Sequence, residues 1–532
     1  MVAVDLGSSS VVVAVGETCD GGPVRVAAIV SKPVEGVNAG RIDNIELVSR
    51  AIRDAVSEVE AQLGIRITEA YAGISGDFVR CARHTDHVFV SDHQTGVNQK
   101  DVESLFDRMR NVQAPDDETI MERIPQNYVV DDNQEVKNPV GSFGKKLSST
   151  FNFILCHKTP VQRLDMALKR LSIKMLGVFA DALATPASIL QPEEMEEGVA
   201  VVDLGAGVTD VTVYYRNVVR YTVSIPMGSS AINRDIRAMG VPEKHIERLK
   251  CKYGSAVAEL APEDKLIRVT GRTSRDAKDI LLKNLATVIE ARATDIAEFV
   301  MQEIKDSGYA SKLSYGIVLT GGSAALKDLD ELFRRVTQME VRVALPDVGI
   351  DDESLDFVAD PAFATAVGIL VKGAQEGGCA VVEHASTPAP AAAPGRTHTP
   401  VPEQRPAAAV PPRGPVPPAP QPPQPRQPRA AAQPQAAPGV RTAPVPPVPQ
   451  PQQPRQPRVA APVQPQPPQP VRSQAPVQPE PMPRQGFTAP ESDEEEPVVI
   501  GPRRKRDWSS IFKKVVGSVA GFDGEGADDE EI

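Results

Sequence analysis

The sequence predicts an α/β chain with two lobes built from duplicated sheet-and-helix units, a small inserted subdomain, a disordered proline-rich tail and a C-terminal amphipathic helix. Three observations predict it. A glycine turn between apolar runs occurs twice, about 200 residues apart: Val4-Asp5-Leu6-Gly7-Ser8-Ser9-Ser10, and Val202-Asp203-Leu204-Gly205-Ala206-Gly207-Val208-Thr209-Asp210. A similar order of strand-like and helix-like pieces follows each turn. Near Gly373 the ordered texture stops, His384 to about Glu496 is dominated by proline, glutamine, alanine and arginine, and a two-faced stretch lies beyond it.

In the first half, Val2 to Val15 reads as strand, turn and strand, with a third strand over Val24 to Pro33. Ile45 to Leu63 carries Ile45, Val48, Ile52, Val56 and Val59 on one helical stripe. Ala70 to Ile74 returns to the sheet. From Gly76 to about Cys156 the texture changes to strand-like pieces (His87–Val90, Tyr128–Val130, Ser149–Cys156) and one helix, Gln99–Asn111, so an inserted subdomain is expected. Pro160 to Leu171 is helical, Leu176 to Ala180 strand-like, and Ala182 to Leu190, broken by Pro186, should start a helix joining the halves.

The second half runs through strands at Val199–Val202, Val211–Tyr215 and Val218–Ile225. Helices follow at Ser229–Met239, Pro242–Tyr253 and Asn284–Lys305. A strand over Tyr315–Leu319 leads into Thr320-Gly321-Gly322-Ser323, then a helix over Leu326–Val336, a strand over Val341–Leu345 and a last apolar helix over Asp360–Val371. The expected boundaries are 1–76 with 158–190 for the first lobe, 77–157 for the insert and 191–373 for the second lobe. Beyond them lie a linker over 374–502, a basic amphipathic helix over 503–522 and an acidic terminus over 523–532.

Composition narrows the function. The chain has 532 residues and a formal net charge of −12, which argues against bulk nucleic-acid binding by the core. Its five cysteines and seven histidines show no metal-ligand spacing, as suits a reducing compartment. No signal peptide precedes the first strand and no run of 18 apolar residues spans a membrane, so a cytoplasmic protein is expected.

A glycine after a strand lets backbone N–H groups converge on an anion with no side chain in the way. Gly7, Ser8 and Ser9 offer such groups from one lobe; Gly205, Ala206 and Gly207 offer them from the other. Asp5 and Asp203 occupy equivalent places. Beside a polyphosphate they would repel it unless a hard cation intervenes, which implies Mg²⁺ held mainly through water. Gly321 and Gly322 follow an apolar strand and could seat an adenosine. Taken singly, each loop is also an ordinary strand–turn–strand glycine. The P-loop pattern is absent, and Gly205-x-Gly207 is followed by a strand where a dinucleotide loop needs a helix.

These pieces resemble the actin/Hsp70/sugar-kinase superfamily and, within it, the FtsA family of bacterial division actins. The resemblance covers roughly residues 2–373 and the end of the tail. It rests on VAVDLGSSS at 2–10, IPQNYVVDDNQEVKNPVG at 124–141, VVDLGAGVTDVTVY at 201–214, IPMGSSAINRDI at 225–236, ERLKCKYG at 247–254 and IVLTGGSAALKDL at 317–329. It implies an actin-like fold that binds ATP with Mg²⁺. Asp5, Gly7, Ser8 and Ser9 match the first phosphate loop; Asp203, Gly205, Ala206 and Gly207 match the second. Gly228 and Ser229 match a nucleotide-proximal turn, Glu247 and Lys250 the pair flanking the adenosine, and Gly321 and Gly322 the adenosine loop. Family members polymerise at the cytoplasmic face of the inner membrane at the division site. They tether the tubulin-like protein FtsZ through its C-terminal peptide in the second lobe, and contact later division proteins through the insert. Val208 stands where the family's second loop has threonine, and Ser10 where the first often has lysine, so ATP binding with slow or undetectable hydrolysis is expected.

In the tail, Trp508, Ile511, Phe512, Val515, Val516, Val519 and Phe522 fall within an arc of about 140° on a helix. Arg503-Arg504-Lys505-Arg506 precedes them and would seek anionic lipid. The same helix could pack back on the core or enter a protein groove, and the basic run could touch nucleic acid; a membrane surface suits the pattern best. An actin-like adaptor of a pilus or secretion assembly is the nearest rival function. A small-molecule kinase of the same fold, with Asp181 or Asp210 as cleft carboxylate, is a further one.

Overall fold

Two sets of five strands share one order and one sense. In the first set Val2–Leu6 pairs antiparallel with Ser10–Glu17, which pairs antiparallel with Arg25–Pro33. On its other side Glu69–Ile74 and then Lys174–Ala180 run parallel to it. In the second set Val199–Leu204 is flanked by antiparallel Thr209–Tyr215 and Val218–Ile225. Parallel Ile317–Thr320 and Val341–Val343 lie on its other side. Val2, Ala3, Val4, Val199, Ala200 and Val202 are fully buried. Central strands covered on both faces need continuous apolar runs, which is how they read in the sequence.

The chain is described by a computed structural model over residues 1–18, 22–92, 94–132, 134–270, 277–377, 382–384 and 500–501. Most of the stretch expected as linker, the helix over 503–522 and the terminus over 523–532 lie outside the described residues. Among the described residues, no helix is long and apolar enough to cross a membrane. Cys81, Cys156 and Cys251 are free; burial pushes the Cys156 thiol up to about 12 and that of Cys81 up to about 11, so both are thiols at neutral pH.

The helix Ile45–Leu63 starts where the Asn44 side chain accepts from the Glu46 and Leu47 N–H groups at 3.0 and 3.2 Å, and stops at Gly64 in a left-handed conformation, φ 67°. Its face of Val48, Ile52, Ala55, Val56 and Val59 packs with Leu164 and Leu168 under the first sheet. Each large side chain so buried contributes about 1.5–3 kcal/mol. The helix Leu282–Asp306 does the same under the second sheet, burying Ile296 and Val300 against Leu332 and Phe333. Between the lobes the expected helix over Ala182 to Leu190 is two short pieces, Asp181–Ala184 and Pro186–Ile189. Proline lacks the N–H that would continue the ladder. The helix Ala364–Gln375 crosses there, and Gly368 lies so close to the Ala184 carbonyl that a Cβ would overlap it.

Between Ile74 and Lys158 lie the strands Val79–Phe89, Glu118–Val130, Gln134–Val136 and Lys146–His157. The helix Gln99–Arg110 covers them and starts at an Asn98–Asp101 capping box. Leu105, Leu147, Phe151 and Phe153 form the interior. Sequence periodicity shows only the end of Glu118–Val130, because Pro125 lies inside it. The strand accommodates the proline at a bulge: Pro125 pairs with Phe151 and Tyr128 with Ser149, so Gln126 and Asn127 together oppose Thr150. Both side chains meet the Arg220 guanidinium, Gln126 Oε1 at 3.2 Å and Asn127 Oδ1 at 3.1 Å. One backbone bridge, Arg80 to Val223, then joins these strands to the second set as a nine-stranded sheet.

Two pairings have no periodic signal: Leu266–Val269 with Lys278–Leu281, and Val382–His384 with Ile65–Ile67.

Candidate functional site

The two glycine turns close with the same hydrogen bond. Gly7 N–H donates to the Ser10 carbonyl at 2.9 Å, and Gly205 N–H to the Val208 carbonyl at 2.9 Å. Asp5 faces Val12 across the first hairpin; Asp203 faces Asp210 across the second. Residues of both turns line one cleft of about 370 Å³. The turns touch at its floor. A Cβ on Gly207 would lie 2.5 Å from Ser8 Oγ and 3.1 Å from Ala39 Cα. Ser8 Oγ is itself fixed by the Gly40 N–H at 3.1 Å. Ser9 and Ala206 also line the cleft.

A third element braces the second turn. Ser229 and Ser230 N–H groups donate to the Gly205 and Ala206 carbonyls at 3.2 and 2.8 Å, just where the helix Ser230–Ala238 begins. Gly228 lies behind the cleft wall rather than on it; a Cβ there would come within 2.6 Å of the Ala206 carbonyl oxygen. Ser229 lines the cleft. Gly321, at φ 84°, donates its N–H to the Pro361 carbonyl at 3.1 Å, and a Cβ would sit 2.8 Å from the Leu204 nitrogen. Gly322 lies beside it on the cleft.

The far wall comes from the helix Glu243–Tyr253, where spacing of three residues puts Glu247 and Lys250 on one side. The Lys250 ammonium is buried and 3.0 Å from Glu247 Oε2, which Asn233 Nδ2 also approaches at 2.6 Å. Partial burial pushes the Glu247 carboxyl up, but Lys250, Asn233 and Cys251 more than offset this and hold it below its usual value.

Four carboxylates converge at the base. Asp203 Oδ2 accepts from Thr185 Oγ1 and Thr365 Oγ1, each at 2.9 Å. Asp210 accepts from Ser75 Oγ at 2.6 Å and from Ser224 Oγ. Among the described residues no side chain donates a hydrogen bond to Asp5, and Asp181 Oδ1 is buried with no partner. Burial raises all four. Asp5 reaches about 7, with Asp203 and Asp210 adding repulsion, and Asp210 reaches about 7, with Asp203 adding repulsion. Among the described residues no cluster of three or more His, Cys, Asp or Glu side chains is arranged to grip a metal ion directly. The donor set suits a hydrated divalent cation: hard oxygens, one orphaned, none matched by a basic side chain.

Sequence reasoning missed the hydroxyls that order these carboxylates: Ser75, Thr185, Ser224 and Thr365. Thr185 and Thr365 also bond each other at 2.9 Å across 180 residues of chain, which no local pattern signals. Asp181, expected as a cleft carboxylate in the kinase reading, follows the strand Lys174–Ala180 and opens the short helix Asp181–Ala184. Val208 lines the cleft, whereas Thr209 turns its hydroxyl to the Met227 carbonyl at 2.8 Å.

A family model described as "Cell division protein FtsA" matches residues 200–368, and one described as "SHS2 domain inserted in FTSA" matches residues 76–155. The chain is 31% identical over 378 residues to the cell division protein FtsA of Pseudomonas aeruginosa, spanning 71% of this chain and 89% of that one. Against the Escherichia coli K12 protein of the same name it is 30% identical over 381 residues, 70% of this chain and 90% of that one. Among solved structures, a chain of the PilM–PilN type IV pilus biogenesis complex aligns with a TM-score of 0.50 at 13% identity, covering 70% of this chain and 98% of its own. That likeness is one of fold alone.

Proposed function

The chain belongs to the FtsA family of cell-division proteins, and on that premise we propose that it is an actin-like, ATP-binding division protein with two duplicated lobes that assembles on a membrane surface. One observation carries the reading: the two glycine turns, the start of the helix Ser230–Ala238 and the Gly321–Gly322 loop all line a single cleft. In this reading Gly7, Ser8 and Ser9 meet the phosphates from one side, and Gly205, Ala206 and Gly207 from the other. Gly228 and Ser229 brace the second turn. Glu247 and Lys250 flank the adenosine, with Gly321 and Gly322 beneath it. Mg²⁺ near Asp5 and Asp203 would neutralise carboxylates that otherwise repel a triphosphate.

The remaining roles follow from the family and the tail. The chain self-polymerises, holds the C-terminal peptide of FtsZ in its second lobe, and recruits later division proteins through the insert over 77–157. The basic amphipathic stretch over 503–522 attaches it to anionic lipid at the cytoplasmic face of the inner membrane, at the division site. Hydrolysis is slow because Val208 offers the cleft no hydroxyl. Relatives at 30–31% identity bear the division name, while the pilus chain is 13% identical, which favours division over a pilus adaptor.

Calorimetric titration of the full chain with ATP tests the cleft. Saturable uptake that strengthens with Mg²⁺ is expected; no uptake in either condition rejects the reading. Sedimentation with phosphatidylglycerol vesicles tests the tail: Phe512→Glu should abolish binding, and an unchanged pellet would refute attachment through this stretch.

A further inference from the structure

Beyond residue 384 the described chain consists of Ile500 and Gly501, and both are held by the insert. Ile500 is 5% exposed and packs in a cluster with Met109, Val112, Phe151, Phe153 and Leu155. Its N–H donates to the Gln113 carbonyl at 3.0 Å. The Gly501 carbonyl accepts from Arg80 Nη2 at 3.1 Å. That guanidinium is fixed in place by buried Glu118, through Nε at 2.8 Å and Nη2 at 2.5 Å. An apolar anchor in a pocket, with main-chain hydrogen bonds at two successive residues, is how extended peptides are captured. Charge agrees. The sequence just upstream is Asp493-Glu494-Glu495-Glu496, and Arg110, Arg123 and Lys158 line the adjoining groove together with Asp116 and with Glu118, whose charge Arg80 matches.

We propose that the segment at Ile500–Gly501 is an intramolecular latch, which the insert captures in the groove beside Gln113, Glu118 and Arg80. The latch shortens the tether. If the chain were held only at the strand Val382–His384, the basic run would lie beyond roughly 115 residues of proline-rich sequence, a span above the ~60 Å that a fully flexible linker of that length would average. Held at Ile500, Arg503 begins within about 11 Å of the groove. The basic run is thus presented beside the insert rather than at the end of a long leash. Only this last consequence rests on the membrane reading; the capture itself does not.

Hydrogen exchange on the full-length chain tests the capture directly. The amide at position 500 and the amides over 108–123 should exchange at least about tenfold faster in Ile500→Glu than in wild type, with the two glycine turns unchanged. In parallel, a labelled peptide of residues 494–503 should bind full-length Ile500→Glu at least about tenfold more tightly than wild type, whose own segment fills the groove, and added salt should weaken it. Equal exchange in the two chains together with equal peptide affinity overturns the latch. Vesicle sedimentation separates the two readings. Ile500→Glu retains the whole stretch over 503–522 and should still pellet with phosphatidylglycerol vesicles. If wild type fails to pellet, the membrane reading falls, and the exchange result alone decides the latch.

Discussion

The first glycine turn leaves its aspartate unsupported, whereas the second surrounds its own with hydroxyls. Asp203 accepts two threonine hydroxyls at 2.9 Å, and Asp210 opposite it accepts Ser75 and Ser224. Among the described residues Asp5 has no such donor, and it faces Val12. The backbone device is nonetheless the same, a glycine N–H closing on a carbonyl at 2.9 Å in both. A repeated fold can therefore carry two electrostatic tasks. One turn holds its aspartate in a frame of hydroxyls; the other leaves a buried carboxyl lining the cleft.

Crowding behind the second turn gives the largest expected effect. Gly228→Val would drive a side chain into the Gly205 and Ala206 carbonyls, which are backbone and must move together. ATP affinity should fall by about 100-fold or more in calorimetric titration. Gly7→Ala meets only the Ser10 carbonyl oxygen at 3.0 Å and needs no positive φ. Its loss should stay within about tenfold. Equal losses would break the distinction between a braced turn and a free one.

Stability sharpens the comparison with opposite signs. Thr365→Val removes a buried donor from Asp203 and should cost about 1–3 kcal/mol in denaturant unfolding. Asp5→Asn removes a charge that burial, Asp203 and Asp210 all disfavour, and should raise the melting temperature of nucleotide-free protein at pH 8. The pH dependence has a definite sign. Asp5 and Asp210 move from a usual 3.8 up to about 7 on folding, so between those values the native state holds more protons than the unfolded chain. Their contribution is whole below about 3.8 and is lost as pH rises toward about 7. The melting-temperature gap between Asp5→Asn and wild type should therefore widen from pH 5.5 to pH 8, and narrow again when Mg²⁺ and ATP are added.

The smallest expected effect concerns chemistry. Val208→Thr puts a hydroxyl on the cleft wall with little change in volume, and ATP turnover in a phosphate-release assay should rise several-fold from a low base. Thr209→Val removes a hydroxyl already committed to the Met227 carbonyl and should leave turnover unchanged.

What was legible follows from how far apart the partners lie in the chain. Strand, glycine and strand are neighbours, so both turns and the Gly321–Gly322 loop stand out by composition, and the structure brings them to one cleft. Lys250 was placed by resemblance, since a lysine on a polar helix carries no local sign of burial. The strand Glu118–Val130 was half hidden because Pro125 sits at a bulge, where the missing N–H is tolerated. Thr185 and Thr365 support Asp203 from 18 and 162 residues away, and Ile500 packs on a surface formed near residue 113. Periodicity reports which face is buried; it does not report which distant segment covers it.

The backbone bridge between Arg80 and Val223, reinforced by the hydrogen bonds of Gln126 and Asn127 to Arg220, has a mechanical consequence. Val223 stands two residues before Ile225, which pairs with Thr209 next to the second turn. Two residues of strand span about 7 Å, so a load placed on the insert would have a short, continuous strand path to the hairpin carrying Val208 and Asp210.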